Sequence, residues 1–145
     1  MMVKGEFTRC SRNSRSVTGI LKAEEEYYYD NSYNFWYAVN DAGKIVGSVG
    51  LKKIDACYGE IKKLFVVKEY RGKGVAQKLM NTLFKAASKH QFEFLILGTV
   101  DKLHAAHKFY AKYGFTLMLQ QDLPYGFERN PLDTLFFIKA LNDSN

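Results

Sequence analysis

The stretch Leu64-Phe-Val-Val-Lys-Glu-Tyr-Arg-Gly-Lys-Gly-Val-Ala-Gln-Lys-Leu-Met80 decides how the rest of the chain is read. An apolar run stops at Val67, a basic loop with two glycines follows, and an amphipathic pattern begins at once. The run reads as a buried strand. From Gly74 to His90 the apolar positions Ala76, Leu79, Met80, Leu83, Phe84 and Ala87 recur at i, i+3, i+4, i+7, i+8 and i+11, one stripe of a helix. So short a strand–loop–helix unit points the loop amides and the helix N-terminus the same way. The helix dipole adds partial positive charge there, and Arg71 and Lys73 add full charges. Gly72 and Gly74 let the backbone take positive φ or approach a ligand closely. The loop therefore reads as an anion site suited to phosphate. Its spacing is neither the Walker loop, which ends Gly-Lys-Ser/Thr, nor the dinucleotide Gly-x-Gly-x-x-Gly.

Upstream, Val3 to Cys10 reads as an opening strand, and Ser14 to Tyr29 as one or two helices of weak periodicity. Asn34 to Asn40 is rich in aromatics and reads as a strand. Asp41-Ala-Gly43 signals a turn, with Lys44 to Ile54 as the partner strand of a hairpin. Tyr58 to Val67 is the third strand of this set. Downstream, Phe92 to Leu97 is a strand, and Asp101 is a good N-cap for a second helix. That helix carries the stripe Leu103, Ala106, Phe109, Tyr110 and Tyr113, and Gly114 ends it. Phe115 to Leu119 and Asp133 to Ala140 close the chain as a hairpin around a polar loop, Gln120 to Asn130. The order predicts an α/β or α+β fold with a mixed sheet, and a parallel, right-handed unit from Tyr58 to Leu97.

The chain of 145 residues is the size of one domain, 1–145. With 47% hydrophobic and 25% charged residues it has the balance of a globular protein, not a disordered one. Lys plus Arg number 21 against 15 Asp plus Glu, so the net charge of +6 calls for an anionic partner without choosing one. No apolar run approaches the roughly 20 residues of a membrane helix. The first residues lack the apolar core of a secretory signal. Cys10 and Cys57 are too few for a disulfide scaffold and read as free thiols of a cytoplasmic protein. His104 and His107 share a helix face but have no third ligand, so no metal is expected. A nucleic-acid surface would interleave aromatic and basic residues. Here the tyrosines from Tyr27 to Tyr37 cluster with acids instead.

Arg71-Gly-Lys-Gly-Val-Ala76 resembles the Arg/Gln-x-x-Gly-x-Gly/Ala signature of the GNAT N-acetyltransferases. Glu60 to Val67 resembles that family's fourth strand. Ala105-Ala-His-Lys-Phe-Tyr-Ala-Lys-Tyr-Gly-Phe115 resembles its Ala-x-x-Phe-Tyr-x-Lys-x-Gly-Phe motif. The resemblance runs from about Asn34 to Ala140. It implies a mixed sheet of about six or seven strands, splayed between the fourth and fifth, with about four flanking helices. It also implies acetyl-CoA as co-substrate, without a metal. The backbone of Phe65, Val66 and Val67 would pair with the pantetheine, and the amides of Arg71, Gly72, Lys73, Gly74, Val75 and Ala76 would hold the pyrophosphate. Lys108 and Lys112 read as a solvated helix face, with outer phosphates as the alternative.

The implied reaction is direct transfer to a primary amine. Glu60 would be the base acting through water, the Val66 amide would polarise the carbonyl oxygen, and Tyr110 would be the acid for the leaving thiolate. One position departs from the family. Leu103 stands where an asparagine often contacts pantetheine, and Thr99 to Lys102 would have to substitute. The acceptor would lie near Glu24 to Tyr29 and the loop Asp122-Leu-Pro-Tyr-Gly-Phe-Glu-Arg-Asn130, where carboxylates beside aromatics suit a cation. A small molecule, an amino acid and a protein N-terminus are all compatible, a homodimer stays open, and nucleic acid and membrane are not expected as partners. A CoA-binding regulatory module without catalysis is the alternative function. The presence of both Glu60 and Tyr110 argues against it.

Overall fold

The computed structural model describes residues 8–9, 19–22, 33–102 and 104–141. The chain divides into two compact units, residues 1–52 with 61–89, and residues 53–60 with 90–145. The fold is α/β with a mixed sheet in which antiparallel ladders accompany one parallel ladder.

The first unit holds β1 (Thr8–Arg9), β2 (Gly19–Lys22), β3 (Tyr33–Val39), β4 (Ile45–Lys53) up to Lys52, and β5 (Tyr58–Val66) from Ile61 onward, hydrogen-bonded in that order. The β3–β4 turn forms because Asn40 Oδ1 accepts from the amides of Ala42 and Lys44 at 3.0 and 2.9 Å. Gly43 supplies the positive φ of 79° that the turn requires. Helix α1 (Val75–Lys89) buries Val75, Leu79, Met80, Leu83 and Ala87. Trp36, Ala38, Val39, Val46, Val49, Leu51 and Ile61 are buried apolar strand residues of the same unit. A Cβ at Gly47 would lie 3.0 Å from the Phe65 carbonyl oxygen, 3.1 Å from Leu79 Cδ1 and 3.2 Å from Val75 Cγ1, so a side chain there would crowd both β5 and the helix. Val75 joins the core in place of Ala76 and Phe84, which stay half-exposed.

In the second unit the order is β5, β6 (Phe94–Thr99), β8 (Leu135–Ala140) and β7 (Thr116–Met118). Tyr58, Gly59 and Glu60 pair in parallel with Phe94, Leu95 and Ile96, and β8 runs antiparallel to β6 and to β7. Helix α2 (His104–Lys112) packs on one face, where Tyr110 and His107 lie 5.7 and 5.6 Å from Phe137 between ring centroids. It ends as a glycine C-cap: Gly114 has φ 91°, and the Phe115 amide returns to the Tyr110 carbonyl at 3.1 Å.

Several expectations need correction. The stretch Ser14 to Tyr29, read as helix, contains strand β2, because Gly19 to Lys22 pairs with Trp36 to Val39 and tertiary pairing overrides weak local periodicity. The rest of that stretch lies outside the described residues, as do Val3 to Phe7, Cys10 and Leu103. The mixed α/β class itself is as expected; among the described residues it comprises two α-helices and eight strand segments. Asp101 stands in a turn three residues ahead of the first residue of α2 and is not its immediate flank. Strand β6 starts two residues later than Phe92, where the Cys57 carbonyl takes the Glu93 and Phe94 amides and begins the parallel ladder.

Candidate functional site

In the first unit, the loop after β5 is built from a 3-10 turn (Lys68–Tyr70) and residues 71–74, which lead directly into α1. Gly72 and Gly74 have φ 76° and 86°, and a Cβ at either would meet nothing within 4 Å. Glycine is therefore required for the backbone conformation and not for packing, and the space beside both residues is open. The Gly74 carbonyl accepts the first intrahelical bond, from Lys78 at 3.1 Å, so α1 begins at the end of the loop. Its first turn carries no acidic residue, which leaves its N-terminal dipole without a carboxylate from that turn. Arg71 and Lys73 are exposed beside it. The Arg71 amide is taken by the Lys68 carbonyl at 3.2 Å, so the groups that fit a pyrophosphate begin at Gly72: a helix N-terminus with no acid in its first turn, flanked by two cations.

Two side chains hold the loop in place. The Tyr70 hydroxyl accepts a hydrogen bond from Asn40 Nδ2 at 3.0 Å, which ties the 3-10 turn to the β3–β4 turn. Arg71 Nε donates to the Val66 carbonyl at 3.0 Å. Neither contact was readable from sequence, because each joins residues whose approach depends on turn geometry. The Val67 amide bonds to the Val46 carbonyl on β4 at 2.9 Å. Successive residues of a strand direct their amides to opposite edges, so the Val66 amide and carbonyl point away from β4. A carbonyl has two lone pairs, so Val66 can accept from Arg71 and from a second donor. Phe65 is 53% exposed, unusual for the apolar run as read from sequence.

Sequence also gave no warning of Lys63, which has φ 60° inside β5 and whose carbonyl accepts from Ser48 Oγ at 2.8 Å. A left-handed conformation is uncommon for a lysine, and it stands two residues before Phe65.

Glu60 and Tyr110 belong to the second unit, and the structure places them on opposite faces of its sheet. Directly paired strand residues share a face and successive ones alternate. Leu97 and Phe137 are paired on the face covered by α2, where Tyr110 sits. Glu60 is paired with Ile96, one residue out of phase with Leu97, and so looks to the other face. Glu60 is one of two buried polar residues among those described, at 6% exposure. Tyr110 is packed by Phe109, Phe115 and Phe137, and burial pushes its phenol up to about 12. Lys108 and Lys112 are exposed, as a solvated face requires.

Raised by burial, Tyr110 makes a testable contribution to stability. The unfolded phenol loses its proton near pH 10 while the folded one keeps it to about 12. Above pH 10 the unfolded state binds fewer protons, so stability falls as pH rises through that window. The loss by pH 12 is on the order of 2–3 kcal/mol. Alkaline unfolding monitored by circular dichroism should show it, and Tyr110→Phe should remove it.

No group of three or more His, Cys, Asp or Glu residues that could hold a metal occurs among the described residues. No described helix is long and apolar enough to cross a membrane.

The profile of the Acetyltransferase (GNAT) family matches residues 5–115. The chain is 32% identical over 124 residues to N-acetylaspartate synthetase of Danio rerio, an alignment that covers 83% of this chain and 43% of that protein. It therefore spans less than half the length of that curated relative. An acetyltransferase of the GNAT family from Staphylococcus aureus superposes with a TM-score of 0.76 at 32% identity, over 81% of this chain and 73% of that one. A GNAT family acetyltransferase from Elizabethkingia anophelis, solved with acetyl-CoA bound, shares the fold at a TM-score of 0.62 and 20% identity, over 80% of each chain.

Proposed function

Because the chain belongs to the GNAT acetyltransferase family, we propose that it transfers the acetyl group of acetyl-CoA directly to a primary amine, with residues 1–145 acting as one acetyltransferase domain. The observation that carries this reading is the loop at Gly72 and Gly74, with its open positive-φ backbone at the start of a long helix that has no acid in its first turn. In this reading the amides of residues 72–76 hold the pyrophosphate, the Arg71 amide stays in the 3-10 turn, the Arg71 and Lys73 side chains add charge, and the backbone of Phe65, Val66 and Val67 pairs with the pantetheine. Cys57, a free thiol, fits a reducing cytoplasm.

The acceptor amine arrives as an ammonium and must lose a proton before it can attack. Glu60 takes that proton through water. The C–N bond forms at the thioester carbon, whose oxygen is polarised by the Val66 amide. The C–S bond then breaks, the second proton leaves the nitrogen, and the sulfur gains one, so the net products are amide, CoA thiol and one released proton. Tyr110 with a pKa of about 12 is fully protonated at neutral pH. Giving its proton outright to a thiolate whose conjugate acid lies near ~8.5 would cost about 5 kcal/mol. Its contribution is therefore a hydrogen bond to the developing thiolate, while the proton comes from the nitrogen.

Tyr110→Phe should lower kcat by about 10- to 100-fold, the value of a hydrogen bond to a charged group, with acetyl-CoA affinity unchanged. An unchanged kcat would remove Tyr110 from the mechanism. The family reading itself is tested by thermal shift. Acetyl-CoA at about 100 times its Kd stabilises a native-state binder by roughly 2.7 kcal/mol, or about 5–10 °C for a chain of this size. No shift would contradict the proposal. A thiol-release assay across amines then reads turnover and separates an enzyme from a non-catalytic CoA-binding module.

A further inference from the structure

We propose that Asn40 is a positioning residue for CoA: through Tyr70 it holds residues 71–74 in the conformation that binds the pyrophosphate, so the β3–β4 turn sets part of the cofactor affinity. This rests on the acetyltransferase reading and deepens it. Asn40 follows the last residue of β3, and the turn fixes both its backbone and its side chain. Its amide donates to the Lys44 carbonyl at 3.0 Å, and its carbonyl accepts from the Gly43 amide at 2.9 Å. Its Oδ1 accepts from the amides of Ala42 and Lys44. The end of a side-chain amide that accepts two N–H groups is the carbonyl, so the other end is the NH2 and can only donate. That donor meets the Tyr70 hydroxyl at 3.0 Å, across 30 residues of sequence.

Tyr70 stands where the anchored chain gives way to the ligand-binding loop. Its amide closes the 3-10 turn on the Val67 carbonyl at 2.9 Å, and the Arg71 amide bonds to Lys68. Beyond them come Gly72 and Gly74, both exposed and both at positive φ, a conformation that glycine enters and leaves easily. The two flanks of this loop rest on one hairpin. Before the loop, the Val67 amide is bonded to the Val46 carbonyl, and Tyr70 to Asn40. After it, Val75 is buried, with its Cγ1 3.2 Å from the place of a Cβ on Gly47. All of these residues belong to the first compact unit. Val46 and Gly47 act through their backbone, whereas Asn40 acts through its side chain and can be removed by substitution. A loop already set in its binding shape loses less freedom when the ligand arrives, and affinity is higher for it. Breaking the bond between Asn40 and Tyr70 returns part of that freedom without touching a group that meets the ligand.

The test is a double-mutant cycle read by calorimetry with CoA. Tyr70→Phe keeps the ring and removes the oxygen. Asn40→Ser removes the donor and keeps a hydroxyl that can accept from the Ala42 amide. Tyr70→Phe should raise the Kd for CoA by about 3- to 10-fold, the range of one neutral hydrogen bond. In a thiol-release assay KM for acetyl-CoA should rise by the same factor, and kcat should stay as it is. The double variant should bind no more weakly than Asn40→Ser alone, because the two residues act through one contact. A Kd for Tyr70→Phe equal to wild type overturns the proposal. So do effects that multiply in the double variant, a loss that falls on kcat instead of KM, or a weakening seen only in variants partly unfolded at the assay temperature. Wild-type protein that fails to bind CoA strikes the acetyltransferase reading instead. CoA binding that Gly74→Val weakens and Tyr70→Phe does not would keep that reading and sink the role of Asn40.

Discussion

Glu60→Gln is expected to lower kcat for acetyl transfer by about 10²–10³-fold at neutral pH, the usual contribution of a positioned general base. The substitution keeps the size of a side chain that is only 6% exposed, so the fold should persist. Loss of the carboxylate removes the proton acceptor but leaves acetyl-CoA binding intact, because Glu60 takes no part in the loop that holds the pyrophosphate. The deficit should shrink as pH rises toward the amine's own pKa, where free amine no longer needs a base; for a lysine-like amine that is near ~10.4. Steady-state rates from pH 6 to 10 therefore separate a base from a structural residue. A parallel drop at every pH, or no drop at all, would show that Glu60 does not remove the proton.

The second large effect concerns the cofactor loop. Gly74→Val should raise the Kd for acetyl-CoA by about 10²-fold. Gly74 has φ 86°, where a β-branched side chain is strongly disfavoured. No neighbour lies within 4 Å of the added Cβ, so the penalty is in the backbone and not in a clash. The chain escapes by rotating the peptide that begins α1, which turns its amides off the phosphates. Losing even one charge-assisted bond costs about 1.5–3 kcal/mol, and the strain adds about 1–2 kcal/mol. Because the damage falls on binding, kcat at saturating acetyl-CoA should change little. Calorimetry reads the Kd directly, and a variant that binds as tightly as wild type would show that the phosphates rest elsewhere.

Legibility followed the range of the forces involved. The loop and α1 could be read because strand end, glycines and helix stripe are all local to Leu64–Met80, and positive φ at Gly72 and Gly74 is what glycine permits. The Gly114 cap and the β3–β4 turn were legible for the same reason. Strand β2 was not, since Gly19 to Lys22 is a strand only by virtue of its partner β3. Lys63 could not be foreseen in the left-handed region, because its residue type argues against it and only the Ser48 contact accompanies it. Glu60 and Tyr110 were named from motif positions, but their placement on opposite faces follows from pairing registers that no short motif contains.

Strand β5 also sets an order of events during synthesis. Its first three residues, Tyr58, Gly59 and Glu60, belong to one compact unit and the remainder to the other. The later part finds its neighbours among residues already made, whereas Glu60 meets its parallel partner only when Ile96 emerges, 96 − 60 = 36 residues later. At the pace of a ribosome that is a wait of roughly 2–7 s. The parallel partner of the residue proposed to carry the chemistry is thus made after the loop that is to hold the phosphates.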